Sequence, residues 1–115
     1  MIDVTTDYFS TEAEALDEIA AMGWNPLVRD IVLTEDEPLH WHDFDSVIFI
    51  VSGSIRFADA HGAVTEVQAG SRFRGLPNLL HRELAGSNYR VVFGFKNKRS
   101  EFTMPINKDP ALLGT

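Results

Sequence analysis

From Pro26 onward the chain alternates apolar and polar residues with period two, in short runs cut by glycine and proline. An extended backbone puts successive side chains on opposite faces, so this pattern predicts strands. Residues 27–33 alternate, and 47–51 are continuously apolar, which suits a strand buried on both faces. Ile55 and Phe57 share a face, with Arg56 turned the other way. Residues 64–68, 71–74, 81–84 and 89–96 read as further strands, the last with Tyr89, Val91, Phe93 and Phe95 on one side. Gly53, Gly62, Gly70, Pro77 and Gly86 punctuate these runs, and Asp59-Ala60-His61-Gly62 is a hairpin-turn signal. Many short strands with regular turns predict an all-β sandwich, jelly roll or closed barrel.

Before the strands, residues 11–22 read as one short helix. Thr11 with Glu14 forms a capping-box pattern, and Gly23 is a C-terminal stop. Ala13, Leu16, Ile19 and Ala20 make a narrow apolar stripe that can lie on a sheet. Residues 97–115 have little periodicity and are expected to form an irregular tail laid along the barrel. A chain of 115 residues with 44% apolar content fits one domain, 1–115, with its own core.

The net charge of −7 argues against nucleic acid as a partner, because a phosphate backbone calls for a basic face. No apolar run is long enough to span a membrane, and Met1-Ile2-Asp3-Val4 has no basic, then apolar, leader pattern. With no cysteine there is no disulfide framework, and the expected location is cytoplasmic. Residues 1–45 carry twelve acids and one base, and 46–115 carry five acids and nine bases. Two readings fit this asymmetry. One is a solvated acidic edge. The other is a homodimer in which the acidic front of one copy meets the basic rear of the next.

The four histidines carry the chemistry. His40 and His42 are two apart in an extended segment, so both rings lie on one face. The buried strand that follows favours the inner face. Unpartnered polar groups there cost about 1–3 kcal/mol each, and a shared metal satisfies both rings at once. His81, after the turn at Leu76-Pro77-Asn78, is the candidate third ligand. Imidazole suits zinc, nickel, iron or manganese without choosing among them. His61 sits in the hairpin turn and is expected to be exposed and uninvolved.

The stretch from His40 to Gly53 resembles the first cupin motif, which has two histidines two apart, then a glutamate, then a glycine. The stretch from Gly70 through Pro77 to His81 resembles the second. The similarity covers roughly residues 27–96. It implies an RmlC-like double-stranded β-helix, a small jelly-roll barrel with a metal, where present, inside one end. Ser46 stands at the family's glutamate position and is a poor ligand for a divalent ion. Asp45 is adjacent, but period two turns it to the opposite face. The proline of the second motif falls one residue late, and Leu79 replaces a common glycine. The resemblance therefore implies a three-histidine site with open coordination positions. A barrel without metal, whose histidines bind a small ligand, is the alternative, and a purely structural role is a third.

Phe44, Ser46, Ile48, Ile50, Phe73, Glu83, Phe93 and Phe95 are expected to line the interior, a mostly apolar pocket with a polar end. Glu83 shares a face with His81. It either orients a histidine or accepts a proton, or else it makes a rim salt bridge with Arg72 or Arg74. Trp41 points away from the histidines and is expected to pack under the helix. Arg56, Arg72 and Arg74 are expected on solvated outer faces. The expected partner is a small organic molecule, either acted on or simply bound; the residues select no reaction.

Overall fold

The computed structural model describes residues 3–113. Met1, Ile2 and the last two residues of the tail lie outside the described residues. Helix α1 (Glu12–Met22) starts where Thr11 Oγ1 accepts a hydrogen bond from the Glu14 amide at 3.2 Å. It stops at Gly23, whose φ of 75° lets its amide reach the Ala20 carbonyl at 3.0 Å. The face it buries is Ala15 and Ile19, with Leu16 and Met22 packed alongside. Ala13 and Ala20 of the expected stripe are exposed. The sheet contact runs about one residue position off the simple stripe.

The strands are β1 (Val4–Thr5), β2 (Asn25–Val32), β3 (Ser46–Asp59), β4 (Val64–Gln68), β5 (Arg72–Gly75), β6 (His81–Glu83) and β7 (Asn88–Phe95). All but the short β1 correspond to runs legible in the sequence. The runs at 47–51 and 55–57 belong to one long strand, β3, around which the fold is organised. Its first half lies between β5 and β7, and its second half pairs with β4 and β6. Among the described residues the order β1-β5-β3-β7-β2 does not close on itself. Of the expected sandwich, jelly roll or closed barrel, this is the jelly roll, with its sheet left open.

A bulge divides β3. Ile50 pairs with Val91 and Ser52 with Arg90, so Val51 has no partner of its own in that ladder. One extra residue reverses the alternation. Ile48 and Ile50 point inward before it, and Ile55 and Phe57 point inward after it. Gly53, with φ of 73°, follows directly. A Cβ there would stand 2.0 Å from the Asn88 carbonyl oxygen, so only glycine fits.

The doubly apolar run at the start of β3 separates two layers. On the inner side Ile50, Ile55, Phe57, Val67, Phe73, Tyr89 and Val91 form the interior core. On the outer side Val47, Phe49 and Val92 pack against Ala15 and Ile19 of α1. The helix sits so close that a Cβ at Gly94 would lie 2.8 Å from both Ile19 and Val47 side chains. No helix among the described residues is long and apolar enough to cross a membrane.

Candidate metal centre

The segment 40–42 is held between two partners. His40 and His81 exchange backbone hydrogen bonds at 2.9 Å in each direction. Trp41 exchanges them with Lys108 of the tail, at 3.2 and 2.9 Å. The directly opposed pairing puts the His40 and His81 rings on one side of the strands. Alternation then puts His42 on that side too and sends Trp41 away. The three rings lie with centroids 4.5–5.0 Å apart, and one ligand atom from each falls within 4.8 Å of the others.

The second nitrogen of each ring decides what the group offers. His40 Nδ1 lies 2.8 Å from the Pro38 carbonyl oxygen, His42 Nδ1 2.9 Å from that of Ile106, and His81 Nδ1 2.8 Å from that of Leu79. A carbonyl can only accept, so each Nδ1 carries the proton and each Nε2 keeps a bare lone pair. Carbonyl acceptors on the outer nitrogen are the usual support of metal-bound imidazoles. Burial lowers the His42 imidazole and pushes His81 down to about 4, so both rings are neutral near pH 7. Nitrogens sharing an ion at about 2.1 Å sit about 3–3.4 Å apart. The widest pair must therefore draw in by about 1–2 Å, which side-chain rotation can supply. The residues fit such an ion, and the three histidines could hold a metal.

The histidines close one end of a cavity of about 240 Å³. Of the expected lining residues, Phe44, Ser46, Ile48, Phe73, Glu83, Phe93 and Phe95 line it. Ile50 does not. It faces inward as alternation requires, but it lies deeper, fully buried in the interior core beneath the cavity. Ser46, at the position where the cupin motif has glutamate, donates to the Gly75 carbonyl at 3.4 Å. Gly75 leaves it room, since a Cβ there would lie 2.3 Å from Ser46 Oγ.

Glu83 makes neither of its expected contacts. Arg72 is taken by Glu18 at 2.8 Å and Arg74 by Asp45 at 2.7 Å, both on the outer face. Asp45 thus points out, as its place in the alternation required. The Tyr89 hydroxyl donates to Glu83 Oε1, and the Glu83 amide donates to Glu37 Oε1 at 3.1 Å. Burial pushes the Glu83 carboxyl up to about 7; the Tyr89 bond opposes this and the adjacent Glu37 adds to it. Arg72 and Arg74 are not freely solvated, since their guanidinium groups also lie over the Tyr8 and Trp24 rings. Arg56 donates to the Ala85 carbonyl at 3.3 Å. His61 is exposed in its turn.

The C-terminal tail is the part of the site that sequence patterns missed. Ile106 and Asn107 line the cavity, and Phe102 stacks on Phe44 at 4.3 Å. Lys108 is buried, and its Nζ donates to the carbonyls of Thr103 at 3.0 Å and Pro105 at 2.8 Å. Trp41 packs here rather than under α1, and its indole N–H donates to the Asp109 carbonyl at 2.9 Å. A lone lysine in an aperiodic stretch gives no local sign of burial. Glu37, before the first histidine, was missed for the same reason: its segment has no periodicity until it pairs with β6.

No model of a known protein family matches the sequence, and no curated protein does. Solved structures do. A DUF861 family protein from Thermotoga maritima superposes with a TM-score of 0.54 at 16% identity, over 83% of this chain and 99% of that one. An RmlC-like cupin from Shewanella frigidimarina gives 0.54 at 18%, over 68% and 69% of the two chains. Oxalate decarboxylase of Bacillus subtilis, studied for its Mn(II) centers, gives 0.54 at 18%, over 77% of this chain and 25% of that one. The fold is that of a small cupin.

Proposed function

From a cupin fold with this cavity, we propose that the protein holds one divalent transition metal ion on His40, His42 and His81 and acts on, or senses, a small organic molecule. The observation that carries this is the orientation of the three rings: each Nδ1–H is tied to a backbone carbonyl, leaving three lone pairs directed into one end of the cavity. The Mn(II) centers of oxalate decarboxylase, a protein of the same fold, support the metal assignment without selecting the metal. A bound ion supplies Lewis-acid polarisation or redox chemistry at positions left open by three protein ligands. The chain's own residues do the rest. The carbonyls of Pro38, Leu79 and Ile106 fix the rings, the phenylalanine walls exclude water, and Glu37 and Glu83 stand within the cavity as acceptors.

Elemental analysis of the purified protein tests the centre. One zinc, nickel, iron or manganese per chain, lost in His40→Ala, is the expected result; no metal under any loading condition overturns it. Ser46 in place of a carboxylate ligand favours a second reading, a metabolite-binding module without metal. In that case a co-purified organic ligand remains bound after chelation.

A further inference from the structure

The histidine cavity has a neighbour. A groove of about 390 Å³ lies at the end of β3, lined by Ala58, Asp59, Ala63, Thr65 and Leu80. Asp59, Ala63 and Thr65 are exposed, so the groove opens to solvent. Phe57, Leu79 and His81 line both the groove and the cavity. The strand register explains why the two spaces meet. Thr65 stands opposite Phe57, and Asp59 opposite His81. Directly paired residues point to the same face of a sheet. The groove is thus an outward continuation of the face that lines the cavity.

The three shared residues are not equivalent. Phe57 is fixed in the interior core, and the His81 ring is held by its Nδ1 bond to the Leu79 carbonyl. Leu79 belongs to the loop between β5 and β6, and its side chain is half-buried. It stands where the second cupin motif commonly has glycine, a residue with no side chain to divide the two spaces. We infer that Leu79 is a specificity-determining residue: its side chain is the wall that confines the ligand to the cavity and keeps a chain from running on into the groove. The cavity holds about 240 Å³. A benzene-sized ring fills about 150 Å³ of an apolar cavity. A ring with a small substituent therefore fits behind the wall, and a ring with a long chain does not. This role for Leu79 rests on the cavity's binding a small molecule, as proposed above, and not on the metal.

Calorimetric titration of zinc-loaded and of chelated protein with 4-methylpyrazole and 4-hexylpyrazole tests the inference. Pyrazole serves as the head in both states: its lone pair ligates zinc, and its N–H donates to an uncovered Nε2 when zinc is absent. The ratio of the two affinities within each protein is the readout, since it cancels changes at the head. Each buried methylene adds about fourfold to affinity. Wild type is expected to bind the hexyl compound no more tightly than the methyl compound. Leu79→Ala is expected to shift the ratio at least about tenfold toward the hexyl compound, and the milder Leu79→Val to shift it less. Thr65→Phe, which fills the groove, is expected to abolish the gain in the Leu79→Ala background. A wild-type preference of about tenfold or more for the hexyl compound overturns the inference. So does a ratio unchanged in both Leu79 variants, or a gain that survives Thr65→Phe. Failure of both probes while zinc still binds also overturns it and leaves the metal centre standing. If zinc fails to bind but the ratios shift as expected on chelated protein, the centre falls and the role of Leu79 stands.

Discussion

Removing the tail after Glu101 should weaken metal binding without unfolding the protein. Both core clusters are built from residues no later than Phe93, so the helix–sheet layer and the interior keep their contacts. What is lost is the Ile106 carbonyl, 2.9 Å from His42 Nδ1, the backbone pairing of Trp41 with Lys108, and the ring of Phe102 over Phe44. The hydrogen bond alone is worth about 0.5–1.5 kcal/mol net. It also fixes the tautomer that presents Nε2 to the ion, and loss of such an outer partner costs about 10–100-fold in metal affinity. That range corresponds to about 1.4–2.7 kcal/mol. Competition with a chelating dye gives the zinc affinity, and the ¹⁵N shifts of His42 report its tautomer. Lys108→Met, which releases the carbonyls of Thr103 and Pro105 but leaves the tail attached, should give a smaller loss in the same direction. Truncated protein that binds zinc as tightly as the full chain, with His42 still protonated at Nδ1, would refute the role given to the tail.

Gly94→Ala should destabilise by about 1–3 kcal/mol, because its methyl group lands 2.8 Å from Ile19 and Val47 in a filled layer. A guanidinium midpoint equal to wild type would show that α1 gives way freely. In the metal-free protein the pH dependence of stability has two large opposing parts, with a smaller one from His42, which is also lowered from 6.5. His81 is lowered from 6.5 to about 4, so its contribution is lost as pH falls below 6.5. Glu83 is raised from 4.5 to about 7, so its contribution is lost as pH rises from 4.5 through 7. Between pH 4.5 and 6.5 the two slopes cancel. Urea titrations should therefore rise only slightly with pH in that window for wild type, through His42. They should rise with pH by about 2–3 kcal/mol more in Glu83→Gln than in wild type. Parallel curves for the two proteins would sink this account.

What the sequence determines here is what depends on near neighbours. Alternation alone places His40 and His42 on one face with Trp41 and Asp45 on the other, because a strand repeats every two residues. The apolar run at 47–51 already requires cover on both sides, and the structure supplies it with α1 outside and the interior core inside. The motif pair from His40 to His81 makes the cupin fold legible, since its glycines and histidines stand where strands turn and meet. Tertiary structure decides the rest. The bulge at Val51 resets which residues of β3 face inward, and it lies between the two stretches that β3 pairs with β7. Trp41, Glu37 and Glu83 take partners 46 to 68 positions away, and Lys108 binds a turn formed only when the tail folds back. Local propensity carries no information on such pairings. They follow from which strands come to lie side by side, and so the carbonyl that orients His42 comes from an aperiodic stretch 64 residues downstream.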